Sequence, residues 1–197
     1  MHCIDCPCFM NFQDCKNTLE RAGVVFEPGL SGLEIEIAEQ RFDFLFPADL
    51  RDFLQFALPV NRGFANWRKV DDPQLQSSLN WPFEGISFDI ENNAFWPTKW
   101  GIRPPDLPAA LAAARQNFEQ APPLIPICGH RYMPAKPNRT GNPVFSVYQT
   151  DIVHYGANLE NYLHNEFYAY FLKPAYFLPA DIRTIDFWSE LVELNNG

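Results

Sequence analysis

The clearest apolar repeat in the chain is Leu50, Phe53, Leu54, Ala57 and Leu58, which recur at i, i+3, i+4, i+7 and i+8. That spacing builds one buried face of a helix, with Pro47 in its first turn and Pro59 ending it. Upstream, Ser31 and Glu34 form an S-x-x-E capping box, and Leu30 and Ile35 are placed as a hydrophobic staple. A second helix is therefore predicted from Ser31 to about Arg41. A shorter one over residues 16–22 should stop at Gly23, the residue best suited to a left-handed helix end. Residues 61–80 carry no clear period and read as an irregular insert with Trp67 as its large anchor.

From Trp81 the period shifts toward two, with Ile86, Phe88 and Ile90 on one side and Ser87 and Asp89 on the other. Glu91-Asn92-Asn93 then reads as a turn into a strand over residues 94–96, so a hairpin is predicted. Asp106 caps a helix over residues 107–120, on which Leu107, Leu111, Ala114 and Phe118 share a stripe. Strands follow over residues 124–128, 144–148 and 152–155, the first two separated by the Pro- and Gly-rich loop PAKPNRTGNP, with Lys136 and Arg139 solvated. Asn158 caps a further helix carrying Leu159, Tyr162, Leu163, Glu166, Phe167 and Tyr170 on one side, and a last helix covers residues 187–194. The order implies an α+β fold, a mainly antiparallel curved sheet with helices packed on one face. Residues 16–197 are expected to form one domain behind an N-terminal extension, residues 1–15.

Composition adds rings and charge to this picture. The chain holds 18 Phe, 7 Tyr and 5 Trp among 197 residues, and its formal net charge is −9. Residues 1–60 carry ten Asp or Glu against four Lys or Arg, and the remainder fourteen against eleven. Phosphate-backbone binding depends on clustered cations, so nucleic acid is excluded as the main partner. Charge that steers an encounter would select a basic partner; the alternative is that it serves solubility alone. No stretch of about 18 apolar residues suits a membrane span and no secretory leader is evident, so a cytoplasmic location is expected.

Candidate chemistry is sparse. Cys3, Cys6, Cys8 and Cys15 crowd the N-terminus, where C-x-x-C offers half of a zinc site but the next Cys comes too soon for a standard second half. A loosely ordered extension is the expectation, with a metal site or a redox site as the alternatives. Cys128-Gly129-His130 is the one hint of a nucleophile and base, though a Cys ending the apolar run LIPI is expected to be a small core residue. His154 and His164, with Asp151 and Glu166 near them in sequence, could make a metal or acid-base cluster, yet they lack any H-x-x-x-H spacing. No G-x-S-x-G, P-loop or G-x-G-x-x-G occurs. No catalytic residue, cofactor or bound metal is therefore assigned, and the chain is expected not to be an enzyme. Alternation along VFSVYQTDIVHYG leaves Tyr148, Asp151 and Tyr155 as candidates for an exposed recognition face. Trp100, Glu36 and Asp49 complete the expected partner-binding set, Trp100 from the FWPTKWG run and the two acids from the N-terminal helices.

FDFLFPADLRDFLQFALP, ISFDIENNAFWPTKWG, PVFSVYQTDIVHYGANLENYLHNEF and the closing IDFWSELVE together resemble the SUKH superfamily, over roughly residues 16–193. This group includes fungal Smi/Knr cell-wall-synthesis regulators and bacterial toxin-immunity proteins. The resemblance implies an α+β fold with a curved antiparallel sheet, and action by binding protein rather than by catalysis. For a bacterial member it implies neutralising a toxin such as a nuclease, whose basic surface would suit an acidic partner. A regulatory scaffold with several partners is the alternative within the binding class. A Cys/His metal-dependent or hydrolytic enzyme is the alternative outside it. The Cys-rich first fifteen residues depart from the family pattern.

Overall fold

The computed structural model describes residues 10–168 and 177–196. Three helices open the chain, α1 (Phe12–Arg21), α2 (Gly32–Phe42) and α3 (Ala48–Phe56), with two short strands, β1 (Phe26–Pro28) and β2 (Ala57–Pro59), paired antiparallel beside them. There follow α4 (Pro73–Asn92), a 3-10 turn (Thr98–Trp100), and α5 (Leu107–Gln120). The antiparallel meander β3 (Leu124–Cys128), β4 (Arg131–Pro134), β5 (Val144–Tyr148) and β6 (Asp151–Gly156) comes next. The last described elements are α6 (Leu159–Leu163), which runs into a π turn (His164–Tyr168), and α7 (Trp188–Asn196). No helix among the described residues is long and apolar enough to cross a membrane.

The capping logic of the sequence holds atom by atom. Ser31 accepts from the Glu34 amide while the Glu34 carboxylate accepts from the Ser31 amide at 2.8 Å, and the staple residues Leu30 and Ile35 are both buried. Asp106 and Asn158 cap α5 and α6 by accepting from the amides of Ala109 and Asn161. The face predicted on α3 is buried throughout, although Pro59 lies in β2 and the helix already ends at Phe56.

Several stretches differ from the sequence reading: β1, β2 and β4 were not expected, and residues 73–80, read as irregular, already belong to α4. Residues 81–96 are not a hairpin: α4 continues to Asn92 and buries Leu75, Ile86 and Ile90, while Phe88 points to solvent. Ile86 and Ile90 are one helical turn apart, so i, i+4 spacing and strand alternation coincide over so short a run. Asp72 caps this helix by accepting from the Gln74 amide, with Pro73 at its first position. Pro82 sits inside it and cannot donate to the carbonyl of Ser78, which accepts instead from the Tyr132 hydroxyl at 2.8 Å. On α5 the buried stripe is Ala110 and Ala114, and Leu107 is 40% exposed.

The sheet is buried on both faces, one covering layer more than the sequence reading gave. Ile125, Ile127, Met133 and Val144 join the core of α1, α2, α3 and α6, whereas their alternates Leu124, Tyr132, Phe145 and Val147 join that of α4, α5 and α7. Trp67 anchors the first core as expected, its ring set edge-on against Phe44 and Phe46 at 5.7 and 5.0 Å. Trp188 closes the second, fully buried and donating from Nε1 to the Pro122 carbonyl at 2.7 Å. The first folded element also starts earlier than predicted. Asn11 caps α1, and Cys15, assigned to the extension, is 1% exposed within the core.

Candidate binding face

The turn between β5 and β6 lies directly on α4. A Cβ on Gly85 would come within 2.6 Å of the Gln149 Cα, so only glycine admits the turn at this distance. One helical turn further on, the buried Asp89 carboxylate accepts from both the amide and the hydroxyl of Thr150, at 2.9 and 2.6 Å. One turn earlier, Trp81 donates from Nε1 to the Val147 carbonyl at 3.0 Å. The three contacts fix the tip of the sheet against the helix.

This attachment gathers exposed rings. Tyr148 is 56% exposed and its ring lies 6.2 Å from that of Trp81, itself 38% exposed, and 6.5 Å from that of His130. Phe88 is 47% exposed two turns along the same side of α4, and Glu84, Glu91 and Asp151 are exposed around these rings. Between α4 and the β3–β4 turn lies a groove of about 330 Å³ walled by Ser78, Trp81, His130 and Tyr132. Partial burial and the neighbouring Arg131 guanidinium push the His130 pKa down, which favours the neutral ring.

Of the six predicted recognition residues, the structure brings Tyr148 and Asp151 together as directly paired positions of β5 and β6. Tyr155 lies elsewhere, half-buried, with the Arg131 guanidinium 3.6 Å above its ring and Tyr162 packed 6.2 Å away. Trp100 stacks against Phe187 and meets Trp96 edge-on, and it walls a separate groove of about 220 Å³ beside α7 with Lys99, Glu190 and Leu194. Glu36 is exposed on α2 and lines a third groove with Asp43, Leu45 and Lys136. Asp49 is buried, not exposed as the sequence reading expected. It is 8% exposed and accepts from the amides of Leu50 and Gly141 at 3.1 and 2.9 Å, holding the 134–143 loop against α3. Trp81, Glu84 and Phe88 were missed because their segment reads as a strand; the Asp72-Pro73 start signal was the cue that a helix begins there.

The candidate chemical groups named from the sequence lie in separate surroundings. Burial pushes the Cys128 thiol up to about 11, and the thiol donates to the Arg62 carbonyl at 3.3 Å rather than to a base. A protonated thiol is a weak nucleophile. Beside it, Arg131 donates to the Ser146 hydroxyl at 2.9 Å and faces Glu166 at 3.7 Å, next to the fully buried Tyr162 hydroxyl, whose pKa burial raises. His154 lies against the Phe145 ring at 5.1 Å, and burial lowers its pKa. Among the described residues, the group able to offer three ligands to a metal is Cys15, Glu160 and His164; it excludes His154. Cys3, Cys6, Cys8 and Tyr170 lie outside the described residues. No family model, curated protein or solved structure matches the chain.

Proposed function

We propose that this chain is a non-catalytic binding domain whose α4 face takes a basic protein partner, in the manner of an immunity protein that neutralises a toxin by covering it. The observation that carries this reading is the group of exposed rings Trp81, Phe88 and Tyr148 set among Glu84, Glu91 and Asp151. Trp and Tyr supply large contact area at low entropic cost and dominate interface energetics, while surrounding acids steer a cationic partner and fix its register. A helix of 20 residues is about 30 Å long, enough to span a standard interface of about 800 Å² per partner. The net charge of −9 matches a partner that itself binds phosphate, which is why a nuclease is the leading toxin class.

The test is affinity capture from the source cells with the native chain and with a Trp81→Ala/Tyr148→Ala variant. The native chain should hold one basic protein at one-to-one stoichiometry, and co-expression should rescue cells from that protein's toxicity. The double variant should bind about 30-fold or more weaker, since truncated interface aromatics cost roughly 2 kcal/mol or more. Undiminished binding by the variant would move the interface elsewhere on the molecule. The grooves beside Trp100 and Glu36 favour a second reading, a regulatory scaffold. Several weakly held partners, competing for different grooves, would select it.

A further inference from the structure

The N-terminal helix and α6 meet at three side chains of different chemistry. Cys15 projects from the middle of α1, and Glu160 and His164 stand four residues apart, from α6 to the first residue of the π turn. The Cys15 Sγ, a Glu160 carboxylate oxygen and a His164 ring nitrogen all lie within 4.8 Å of one another. We infer that these three residues bind one zinc-class divalent cation, which clips α1 to α6.

Four lines of chemistry support the assignment. Positions i and i+4 of a helix stand one above the other, the arrangement that lets a carboxylate and an imidazole converge on one ion. Thiolate, imidazole and carboxylate are together the donor set of a borderline-soft metal such as Zn²⁺, whereas Mg²⁺ and Ca²⁺ demand oxygen throughout. Charge also balances: one thiolate, one carboxylate and a neutral imidazole around a divalent cation sum to zero, which suits a site where Cys15 is buried and the other two residues half-buried. Finally, the carboxylate is already oriented, since Glu160 Oε1 accepts from the Asn11 amide at 3.4 Å, at the start of the helix that carries Cys15.

Binding replaces the S–H bond of Cys15 with a sulfur–metal bond and releases that proton to solvent, with no change of oxidation state. Three protein ligands leave the fourth tetrahedral position to water. The site joins the first described helix to a late one, so the ion would act as a staple between chain segments far apart in sequence. It lies away from the α4 face and does not depend on what that face binds.

Because Cys3, Cys6 and Cys8 are themselves potential ligands, the test uses the full chain with these three changed to Ser. Titration with Co²⁺ should saturate at one ion per chain and produce a thiolate-to-cobalt charge-transfer absorption that Zn²⁺ displaces. Cys15→Ser should abolish that absorption, His164→Ala should weaken binding about tenfold or more, and Cys128→Ala should leave both unchanged. Zn²⁺ should raise the thermal midpoint of the triple-Ser chain and not that of its His164→Ala derivative. His164 is half-buried, so this variant keeps the test valid should Cys15→Ser fail to fold. No charge-transfer absorption in the triple-Ser chain, or one that survives both Cys15→Ser and His164→Ala, would overturn the site.

Discussion

At the residue scale, the capping box of α2 ties local sequence to stability. The Ser31 amide and hydroxyl and the Arg68 guanidinium hold the Glu34 carboxyl at about 2, below its ordinary value of 4.5. A folded-state value below the unfolded one means that the ionised form stabilises the fold. That contribution is complete above about pH 4.5 and is lost as pH falls toward 2. Glu34→Gln should therefore flatten the fall in thermal midpoint across that window, which scanning calorimetry at a series of pH values would read. The box was legible because Ser, Glu and their spacing act within a single turn. The role of Arg68 was not, since it comes from 34 positions away and also donates to Glu27 and to the Pro28 carbonyl. Asp49 makes the converse case: it reads as a solvated acid on a helix, yet Gly141, distant in sequence, buries it.

At the element scale, α4 was read as strand because apolar residues at 86, 88 and 90 alternate as well as they repeat. What settles the helix is tertiary. The Tyr132 hydroxyl repairs the carbonyl that Pro82 leaves open, and Gly85 and Asp89 receive the β5–β6 turn. Gly85→Ala should raise intrinsic helix propensity yet destabilise the protein by about 1–3 kcal/mol, because the new methyl meets backbone atoms of Gln149. Urea titration would measure the loss. On the proposed function, the same change should also weaken partner binding, since Tyr148 and Asp151 flank the turn that must shift.

At the scale of the whole molecule, the boundary of the folded domain moves toward the N-terminus. The Phe12 ring lies 6.2 Å from Phe53 and 5.8 Å from Phe56, and Asn11 caps α1. Sequence alone implies that removing residues 1–14 leaves the fold intact. The structure implies instead a loss of about 2 kcal/mol, from one cap and one to two aromatic contacts, or a fall in thermal midpoint of about 4–8 °C. A truncated chain with an unchanged midpoint would show that α1 starts beyond Asp14. The sequence by itself determined the α+β class, the antiparallel strands β3, β5 and β6, and the capped starts of α2, α5 and α6, because each is encoded by neighbours within a turn or a strand. It also singled out Tyr148 and Asp151, which strand alternation sends outward at the end of the sheet. Only the tertiary structure decided that Trp81 and Phe88 stand exposed on α4, that Asp49 is buried and Tyr155 packs against Arg131 and Tyr162, and that Cys15 meets Glu160 and His164. Those outcomes depend on which distant segments pack together, and no local period carries that information.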